Sequence, residues 1–529
     1  MAKEKGGKNI QQIKVYHIIP RQKYLANLPS YENTGVRLAR HDSLKLSTYG
    51  GKPVTIKHEL IGDYEPIIDK VGNRYTELNV NGVPLMVLNG SKELYELICL
   101  KIIEKGLKPN KKTINQIIED LETESILSAK TMEVHKRYAL VNGALYINTG
   151  IDDYRIKISK EGIKRVKSKS VKFVFSKHRG KLAYNREIKR SFKRFIKLLR
   201  KYVPVKNEED LLLLLAYILD SCFSDTDYQI LVITGGSGSG KTFLTFIIRC
   251  LIDPSTFGIG SLLRSEKDIL LQASHNHLLT FDNNGNHFKG DVENLLCQTC
   301  TGGNVIERLF FTNNQTLIVD LKSPSIINGL QSPLTQDDAM NRAINIRLPQ
   351  LTPEDYAKTG GKNNWQAQFE ADLPEMIGGL HDLLQRVLAL RDEVELPAEL
   401  PRMGDFVRTG IALEQVLGLE EGSFLKAYEN NLKLGLAAII EDSDLAQAVI
   451  SQARKLRDTK TYLLTNFIKE LKGYSNSPHS IPGNSRTFRT ELDRVKKALF
   501  ELHGIKIKYL KKSRDGVRVM IIPPSKKSS

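Results

Sequence analysis

Apolar and polar residues follow different rhythms in different parts of the chain. Over 138–175 the apolar residues recur at every second position, in YALVNGALYIN, DYRIKISKEGI and VKFVF. Asn-Gly and Glu-Gly fall between them, which predicts antiparallel strands joined by tight turns. In REIKRSFKRFIKLLRKYV, over 186–203, the period changes to that of a helix. Ile188, Phe192, Phe195, Ile196 and Leu199 form one stripe, and Lys and Arg fill the rest. Such a helix packs on one side and turns the other to phosphate or solvent. From Asn207 the rhythm is α/β. Asn207, Glu208 and Glu209 open an almost wholly apolar helix, then come the strand YQILVIT, a glycine-rich turn and the helix KTFLTFIIRCLI. Alternation continues to AINIRL at 343–348, and a mostly helical stretch runs to about residue 473.

The two ends read differently. The first thirty residues have the pattern of a weakly ordered arm, and 31–135 mix strand-like PVTIKHEL and GVPLMVL with helical ELYELICLKIIEKG and INQIIEDLETESIL. The last seventy residues read helix, strand, an Asp515-Gly516 turn and strand, the order of a winged helix-turn-helix. No fixed-period repeat is present, which excludes solenoids and propellers. The expected division is 1–135, an accessory α+β domain; 136–205, a basic β-rich, collar-like segment and helix; 206–395, the α/β domain; 396–460, a helical lid; and 461–529, the winged helix.

Length and charge sharpen this. The 529 residues are enough for about three or four domains. The longest apolar run, 211–219, is about half of what a membrane span needs. No apolar segment follows the charged first residues, and five cysteines make no disulfide framework. The expectation is a cytoplasmic protein without a membrane partner. Net charge is +18, unevenly spread. Residues 151–200 carry 18 basic and 4 acidic groups, and 451–529 carry 19 and 6, while 201–450 are acidic. Two basic regions flanking an acidic middle point to a polyanion partner, because neutralised phosphates release counterions.

The strongest chemical signal is GGSGSGKT: Gly235, Gly236, Ser237, Gly238, Ser239, Gly240, Lys241 and Thr242, between a strand and a helix. Glycines let the backbone N–H groups turn toward phosphates, Lys241 reaches the β and γ phosphates of ATP, and Thr242 ligates Mg²⁺. HLLTFDNN supplies Asp282 at a strand end, where an acid holds the same metal. Asn283 follows where many ATPases carry a glutamate. Asp291 and Glu293 are substitute bases, each better read as a carboxylate at a helix N-terminus. Asn328, ending strand SIIN, is placed to sense the γ-phosphate, with a strand-end Asx-turn as its other reading. Arg342, before AINIRL, is placed to act on a neighbouring subunit's nucleotide, with Arg347 as the alternative. Strands at 307–311 and 316–321 enclose the turn Asn313, Asn314 and Gln315.

Three other groupings have weaker chemistry. Cys297 and Cys300 form one CxxC with no second pair, so they read as core residues rather than zinc ligands. His275 and His277 read as structural. Asp152 and Asp153 occupy a turn with no third acid, so no primase centre is visible.

With these residues in view, the chain from about Arg137 to its end resembles the superfamily 3-like AAA+ helicases of phages, satellites and bacterial integrative elements, often labelled primase/helicase. HKRYALVNGALYINTG, GSGKT, LIDPS, FDN, LCQTCTGG, RLFF, IING, NRAINIRL and LPRMGDF occur in that family's order. The resemblance implies an α/β P-loop AAA+ core with an α+β N-terminal region, a helical lid and a C-terminal winged helix-turn-helix. It implies Lys241 and Thr242 as phosphate and metal residues, Asp282 as the Walker B acid, Asn328 as the sensor and Arg342 as the finger. Arg402 is a weaker candidate for a second sensor. The 307–321 hairpin corresponds to the loop that grips single-stranded DNA. Its tip has no lysine, so Arg308 and Lys322 are substitutes beside Asn313, Asn314 and Gln315. Residues 1–130 match nothing in the family.

The leading expectation is therefore a replicative helicase or helicase-initiator, an ATP- and Mg²⁺-dependent homo-oligomer, hexameric by resemblance. Its partners would be single-stranded and duplex DNA and host replication proteins. In the C-terminal unit Phe488, Leu492, Val495, Leu499 and Leu502 form the buried stripe of a helix. Arg486, Arg489, Lys496 and Lys497 lie outside that stripe, and Lys511, Lys512 and Arg514 belong to the wing; all are expected to meet DNA. A DNA-binding ATPase switch without unwinding is the second expectation. A protein-remodelling machine is the third; that class usually shows an aromatic pore loop, and the segment between the glycine-rich loop and Asp282 has no obvious one besides Phe257.

Overall fold

The computed structural model describes residues 48–49, 52–53, 60–62, 64–80, 83–167, 170–205, 207–260, 262–284, 287–308, 316–355, 362–441, 443–475, 477–513 and 516–524. The arm expected over the first thirty residues lies outside them, as do Asn313, Asn314, Gln315 and Arg514. The side chains of Arg308, Lys511 and Lys512 do too.

The first substantial unit is α+β. Strands Ile67–Ile68, Arg74–Val80, Val83–Leu88 and Lys130–Thr131 form one sheet, with helices Lys92–Glu104 and Lys111–Ser128 packed on it. Ser91 and Asn110 cap these helices by accepting the N–H groups of Leu94 and Lys112. Leu78, Val87, Leu94, Ile98, Ile114 and Leu121 fill a small core of its own.

A second sheet follows, antiparallel throughout: Tyr138–Val141, Ala144–Asn148, Tyr154–Ser159 and Gly162–Lys167. Its alternation is as expected, with Leu145, Ile147, Ile156 and Ile158 buried. The basic helix is shorter than its pattern predicts. It runs Phe192–Tyr202, because the Ser191 side chain accepts the Arg194 N–H and starts the helix there. Ile188 is thus outside it.

The centre is a four-stranded parallel sheet in the order Leu279–Phe281, Ser325–Gly329, Ile230–Thr234, Ala343–Arg347. ILVIT and SIING are buried almost without a break because helices cover both faces. Residues 211–220 of helix Glu208–Asp220 are buried without a break. Burying one such leucine stabilises the fold by roughly 1.5–3 kcal/mol. The antiparallel sheet, the parallel sheet, and helices Lys362–Arg391, Gly404–Leu417 and the first part of Ser423–Glu441 all contribute to one hydrophobic core. The segments expected as collar and lid are therefore continuous in packing with the central domain.

The C-terminal unit has a separate core, and it begins earlier than residue 461. Ile439, Ile440, Leu445, Val449 and Ile450 pack with Phe467, Phe488, Leu492, Val495 and Leu499. Its order is helix Asp444–Ala453, strand Lys460–Leu463, helices Leu464–Lys472 and Ser485–His503, then strands Lys506–Ser513 and Gly516–Ile522. The short first strand pairs with the last, and the last with the one before it. The boundary moves because the apolar face of Asp444–Ala453 has its partners in this unit. No helix among the described residues is long and apolar enough to cross a membrane.

Candidate functional site

In an open parallel sheet, ligands bind in the crevice beyond the carboxyl ends of the strands. Ile230–Thr234 is a central strand, paired with Ser325–Gly329 on one side and Ala343–Arg347 on the other, and the glycine-rich loop follows it directly. Gly240 has φ +86 at the start of helix Lys241–Ile252, a left-handed conformation that a side chain would strain. A Cβ on Gly235 would come within 2.7 Å of Leu348 O and Ser239 Oγ. Ser237 and Gly238 are exposed. The outcome is a loop of small residues whose backbone lies open at a helix N-terminus.

The side chains expected to meet here do so. Lys241 Nζ donates to Gly235 O at 2.8 Å and Gly236 O at 2.7 Å, folded back over the loop. Partial burial lowers its pKa, against the opposing pull of Asp282. Thr242 Oγ1 lies 3.2 Å and 3.3 Å from the two oxygens of Asp282. Asn328 is wholly buried, and its amide donates to Thr245 Oγ1 at 2.9 Å. Its Oδ1 accepts the N–H of Asn283 at 3.1 Å. Asn283 adopts φ +59 and is exposed, so the segment after Asp282 is fixed by backbone bonds to Asn328. Asn284 N–H also donates to Asn328 O, at 2.9 Å.

Thr245 and Gln350 belong to this arrangement, although the sequence motifs do not include them. Thr245 is three residues beyond Thr242 on one helix, a spacing that places both on the same face and could have signalled it. Gln350 Nε2 donates to Ser237 O at 2.9 Å, closing the loop from the far side of the sheet. Nothing in the local pattern marks it.

Other candidates are placed elsewhere. Glu293 is fully buried and accepts the Thr335 N–H (2.9 Å), the Thr335 hydroxyl (2.6 Å) and the Gln336 N–H (2.7 Å). It holds the chain ahead of helix Asp337–Met340, rather than acting as a free base. Asp291 is exposed. Arg342, expected to reach the nucleotide of a neighbouring subunit, is buried within its own chain. It is 6% exposed and stands at the amino end of strand Ala343–Arg347, where its carbonyl accepts the Ile230 N–H. That is the end of the sheet opposite the glycine-rich loop, about 16 Å away along five residues. Its guanidinium pairs with Asp338 at 3.4 Å, and the same carboxylate pairs with Arg402. Arg347, at the carboxyl end, is 81% exposed.

Much of the positive charge is already neutralised within the chain. Arg194 pairs with Glu375, Lys201 with Asp372 and Arg200 with Glu208, so the basic helix is partly an internal contact surface. Lys172 and Lys177 pair with Glu77 and Glu96 of the first unit. Lys322 lies 3.5 Å from Asp227, at the base of the hairpin formed by Asn304–Arg308 and Thr316–Asp320. It is thus anchored away from any tip. In helix Ser485–His503, Arg486 and Arg489 are exposed, with Arg489 and Lys496 over the Tyr509 ring. Lys497 is a correction: its Nζ donates to Asn341 Oδ1 at 2.9 Å, so it faces the central domain and not outward.

The cysteine and histidine pairs are structural in the fold. Cys297 and Cys300 are free and buried, and burial pushes the Cys297 thiol up to about 12. Burial lowers His277 to about 4, and its Nε2 lies 2.7 Å from Ser221 O. Among the described residues no cluster of three His, Cys, Asp or Glu could hold a metal by itself.

Residues 196–434, a little under half of the chain, match the family model described as actinomycete integrative conjugative element replication protein. That match supports a replication-related role. None of the curated proteins matches the chain significantly. Among solved structures, the chain is similar to the active helicase Cch of SCCmec type IV, at 14% identity and a TM-score of 0.43. That alignment covers 87% of this chain and 93% of the other. It is also similar to the apo C-terminal region of NrS-1, at 11% identity and a TM-score of 0.35, covering 87% and 96%. Both are remote likenesses.

Proposed function

We propose that the chain is an ATP hydrolase that drives DNA unwinding during replication of a mobile element, working as a homo-oligomeric ring. The observation that carries this reading is the convergence of the glycine-rich loop, Lys241, Thr242, Asp282 and Asn328 at the carboxyl end of one parallel sheet.

The residues present fit a nucleotide triphosphate with a divalent cation. The loop can wrap phosphates with its N–H groups, and Lys241 needs only to exchange two carbonyls for phosphate oxygens. The Thr242 hydroxyl and Asp282 carboxylate form the hard-oxygen pair that Mg²⁺ takes, directly or through water. Thr242 and Asp282 would hold the cation, which would supply positive charge against the charge that develops on the phosphates. Asn328, held by Thr245 and by the Asn283 N–H, keeps a neutral amide at the phosphate end of the site and orients the Asp282–Asn283 turn. Arg342 lies at the opposite end of the sheet from its own loop, so any nucleotide it serves belongs to a neighbouring subunit. To reach it, the guanidinium leaves Asp338.

The fold class supports the same reading in its finer terms. The C-terminal order of helix, strand, two helices and hairpin, with the first strand beside the last, supports the reading of a winged helix whose third helix is Ser485–His503. Exposed Arg486 and Arg489 near the start of that helix suit the major groove. The Asn304–Arg308 and Thr316–Asp320 hairpin is the candidate for contact with single-stranded DNA. A DNA-binding switch without unwinding would share all of these parts except a working hairpin. A forked DNA substrate separates the two: strand separation that requires ATP and is abolished in Lys241→Ala supports the helicase. ATP hydrolysis stimulated by DNA without strand separation supports the switch.

A further inference from the structure

The first α+β unit, 64–135, carries none of the residues of the nucleotide site, yet it is fastened to the Asn304–Arg308 and Thr316–Asp320 hairpin. Ile318 lies midway along strand Thr316–Asp320, opposite Ile306. Its N–H and C=O both point away from that partner, along the free edge of a two-stranded sheet. An edge of this kind is normally left to water or to another strand. Here one side-chain amide takes both groups. Asn73 Oδ1 accepts the Ile318 N–H at 3.0 Å, and Asn73 Nδ2 donates to Ile318 O at 2.9 Å.

That amide is itself held in place. Asn73 closes a turn after strand Ile67–Ile68 in which Asp69 N–H donates to Asn73 O at 2.9 Å. Asp69 Oδ1 accepts the Asn73 N–H at 2.9 Å, and Oδ2 accepts both Asn73 Nδ2 at 3.0 Å and the Tyr75 hydroxyl at 2.8 Å. A second tie comes from a different segment. Lys136 Nζ donates to Asp320 O at 3.1 Å and to Ser323 Oγ at 3.3 Å, just past the end of the same strand. Between these ties lies a cavity of about 580 Å³ with a mixed polar and apolar lining, which includes Asn73, His135, Lys136, Asp225, Ile318 and Asp320. The strand is therefore supported at two points across a space, and not packed solidly against the first unit.

We propose that the first α+β unit is the mount of the DNA hairpin, with Asn73 as its positioning residue: the amide acts as one residue of a third strand and sets where the hairpin stands when DNA arrives. This rests on the reading of that hairpin as a single-strand contact. Two backbone bonds are the whole of the Asn73 hold on the strand, so removing the amide frees Ile318 without touching the nucleotide site.

The test uses the full chain with Asn73→Ala, with Lys136→Met as a second variant acting from a different segment. Hydrogen exchange is followed for peptides covering 316–323 and, as control, 230–252. ATPase activity is measured without DNA and over a range of single-stranded oligonucleotide concentrations. The expected result for Asn73→Ala is faster exchange at 316–323 only and an unchanged ATPase without DNA. The half-saturating DNA concentration should rise about tenfold. Lys136→Met should shift exchange and DNA response in the same direction by less. Unchanged exchange at 316–323 in both variants would overturn the mount, as would faster exchange with an unchanged DNA response. If the ATPase of the unaltered chain ignores DNA, the hairpin reading falls, and the exchange result alone decides whether Asn73 holds the strand.

Discussion

Arg137 and Asp253 stand 116 residues apart and form a fully buried ion pair, Nε to Oδ1 at 2.9 Å. The other guanidinium nitrogens of Arg137 donate to the carbonyls of Asn148 (2.9 Å) and Gly180 (2.8 Å). Asp253 Oδ2 accepts the N–H groups of His277 and Leu278. Beside them the Tyr138 hydroxyl donates to Ile252 O at 2.7 Å, at the end of the helix that begins with Lys241. The antiparallel sheet is thus joined to the far end of the nucleotide-site helix and to the strand leading to Asp282.

Breaking this pair from one side leaves a charge buried alone, which costs about 3–5 kcal/mol. Asp253→Asn should lower stability at pH 7 by that order. Burial would raise the Asp253 pKa, but Arg137, Arg249 and Arg179 outweigh it and hold the carboxyl well below the usual range. A depressed folded-state pKa gives stability that is complete above about pH 4 and declines as pH falls further. The gap between the unaltered chain and Asp253→Asn should therefore narrow progressively as pH falls below 4. Denaturant melts at pH 7, 4 and 3 measure it, and a gap that is constant with pH would contradict the assignment.

Asp220 behaves in the opposite sense. Burial raises it to about 7, even though Thr409, Arg391 and Thr226 favour its charged form. A carboxyl with a raised folded-state pKa is protonated in the native state over a range where the unfolded chain has released the proton. Its contribution then falls as pH rises from about 4 through about 7. Asp220→Asn, which keeps an acceptor for Thr409, should melt several degrees higher than the unaltered chain at pH 8.5, with the difference vanishing near pH 4. Thermal melts at the two pH values decide it.

At the nucleotide site, Lys241→Ala and Asp282→Ala should each reduce ATP hydrolysis at least a hundredfold, the first by removing the charge that meets the phosphates and the second by removing a metal ligand. Asn328→Ala should behave differently from both. Its amide is bonded to Thr245 and the Asn283 N–H, so nucleotide binding should persist within a few-fold while turnover falls. Nucleotide titration by fluorescence, together with steady-state hydrolysis, separates the cases.

These residues are legible in the sequence because each lies where a short apolar run stops. LLTF ends at Asp282, SII at Asn328 and ILVIT at the first glycine. A parallel strand buried on both faces announces its own carboxyl end. What stays hidden depends on long-range pairing. Nothing near Arg194 reveals Glu375, and nothing near Lys497 reveals Asn341, so a basic helix face reads as freer than it is. The boundary at 461 fails for a similar reason. The pattern of Asp444–Ala453 shows that it has an apolar face, but not which core receives it. Arg342 does stand just before its strand, while its burial against Asp338 follows from a helix turn that spacing alone does not aim.

If Arg342 serves a neighbour's nucleotide, Arg342→Ala should bind ATP and fail to hydrolyse it. Mixing it with Lys241→Ala should restore part of the activity, because some junctions then hold an intact loop beside an intact arginine. Arg347→Ala, at the exposed carboxyl end, should give no such complementation. Activity of mixed ratios, together with sedimentation in the presence of ATP, would show either recovery in an assembled species or a monomer without recovery, which rules the ring out.

The duplex-binding prediction follows from which side of helix Ser485–His503 is free. Phe488, Leu492, Val495 and Leu499 are buried in the C-terminal core. Lys497 is turned to Asn341, and the Arg494 guanidinium lies 3.0 Å from His287 Nε2, so that flank rests on the central domain. Arg486 and Arg489 remain outward, one helical turn apart. Replacing both by Ala should weaken duplex DNA binding and flatten its dependence on salt, by about one unit of log–log slope for each phosphate no longer neutralised, while ATP hydrolysis without DNA is unchanged. Lys497→Ala should leave the salt slope as it was, since that ammonium is engaged within the chain. Removing the unit together with its core requires truncation ahead of Ile439. Cutting at 475 would strip the partners from Leu445, Val449 and Ile450 and leave their apolar face to water. Fluorescence anisotropy with a labelled duplex at several salt concentrations tests all three variants. A slope altered by Lys497→Ala but not by the Arg486 and Arg489 replacements would place the DNA on the opposite flank of the helix.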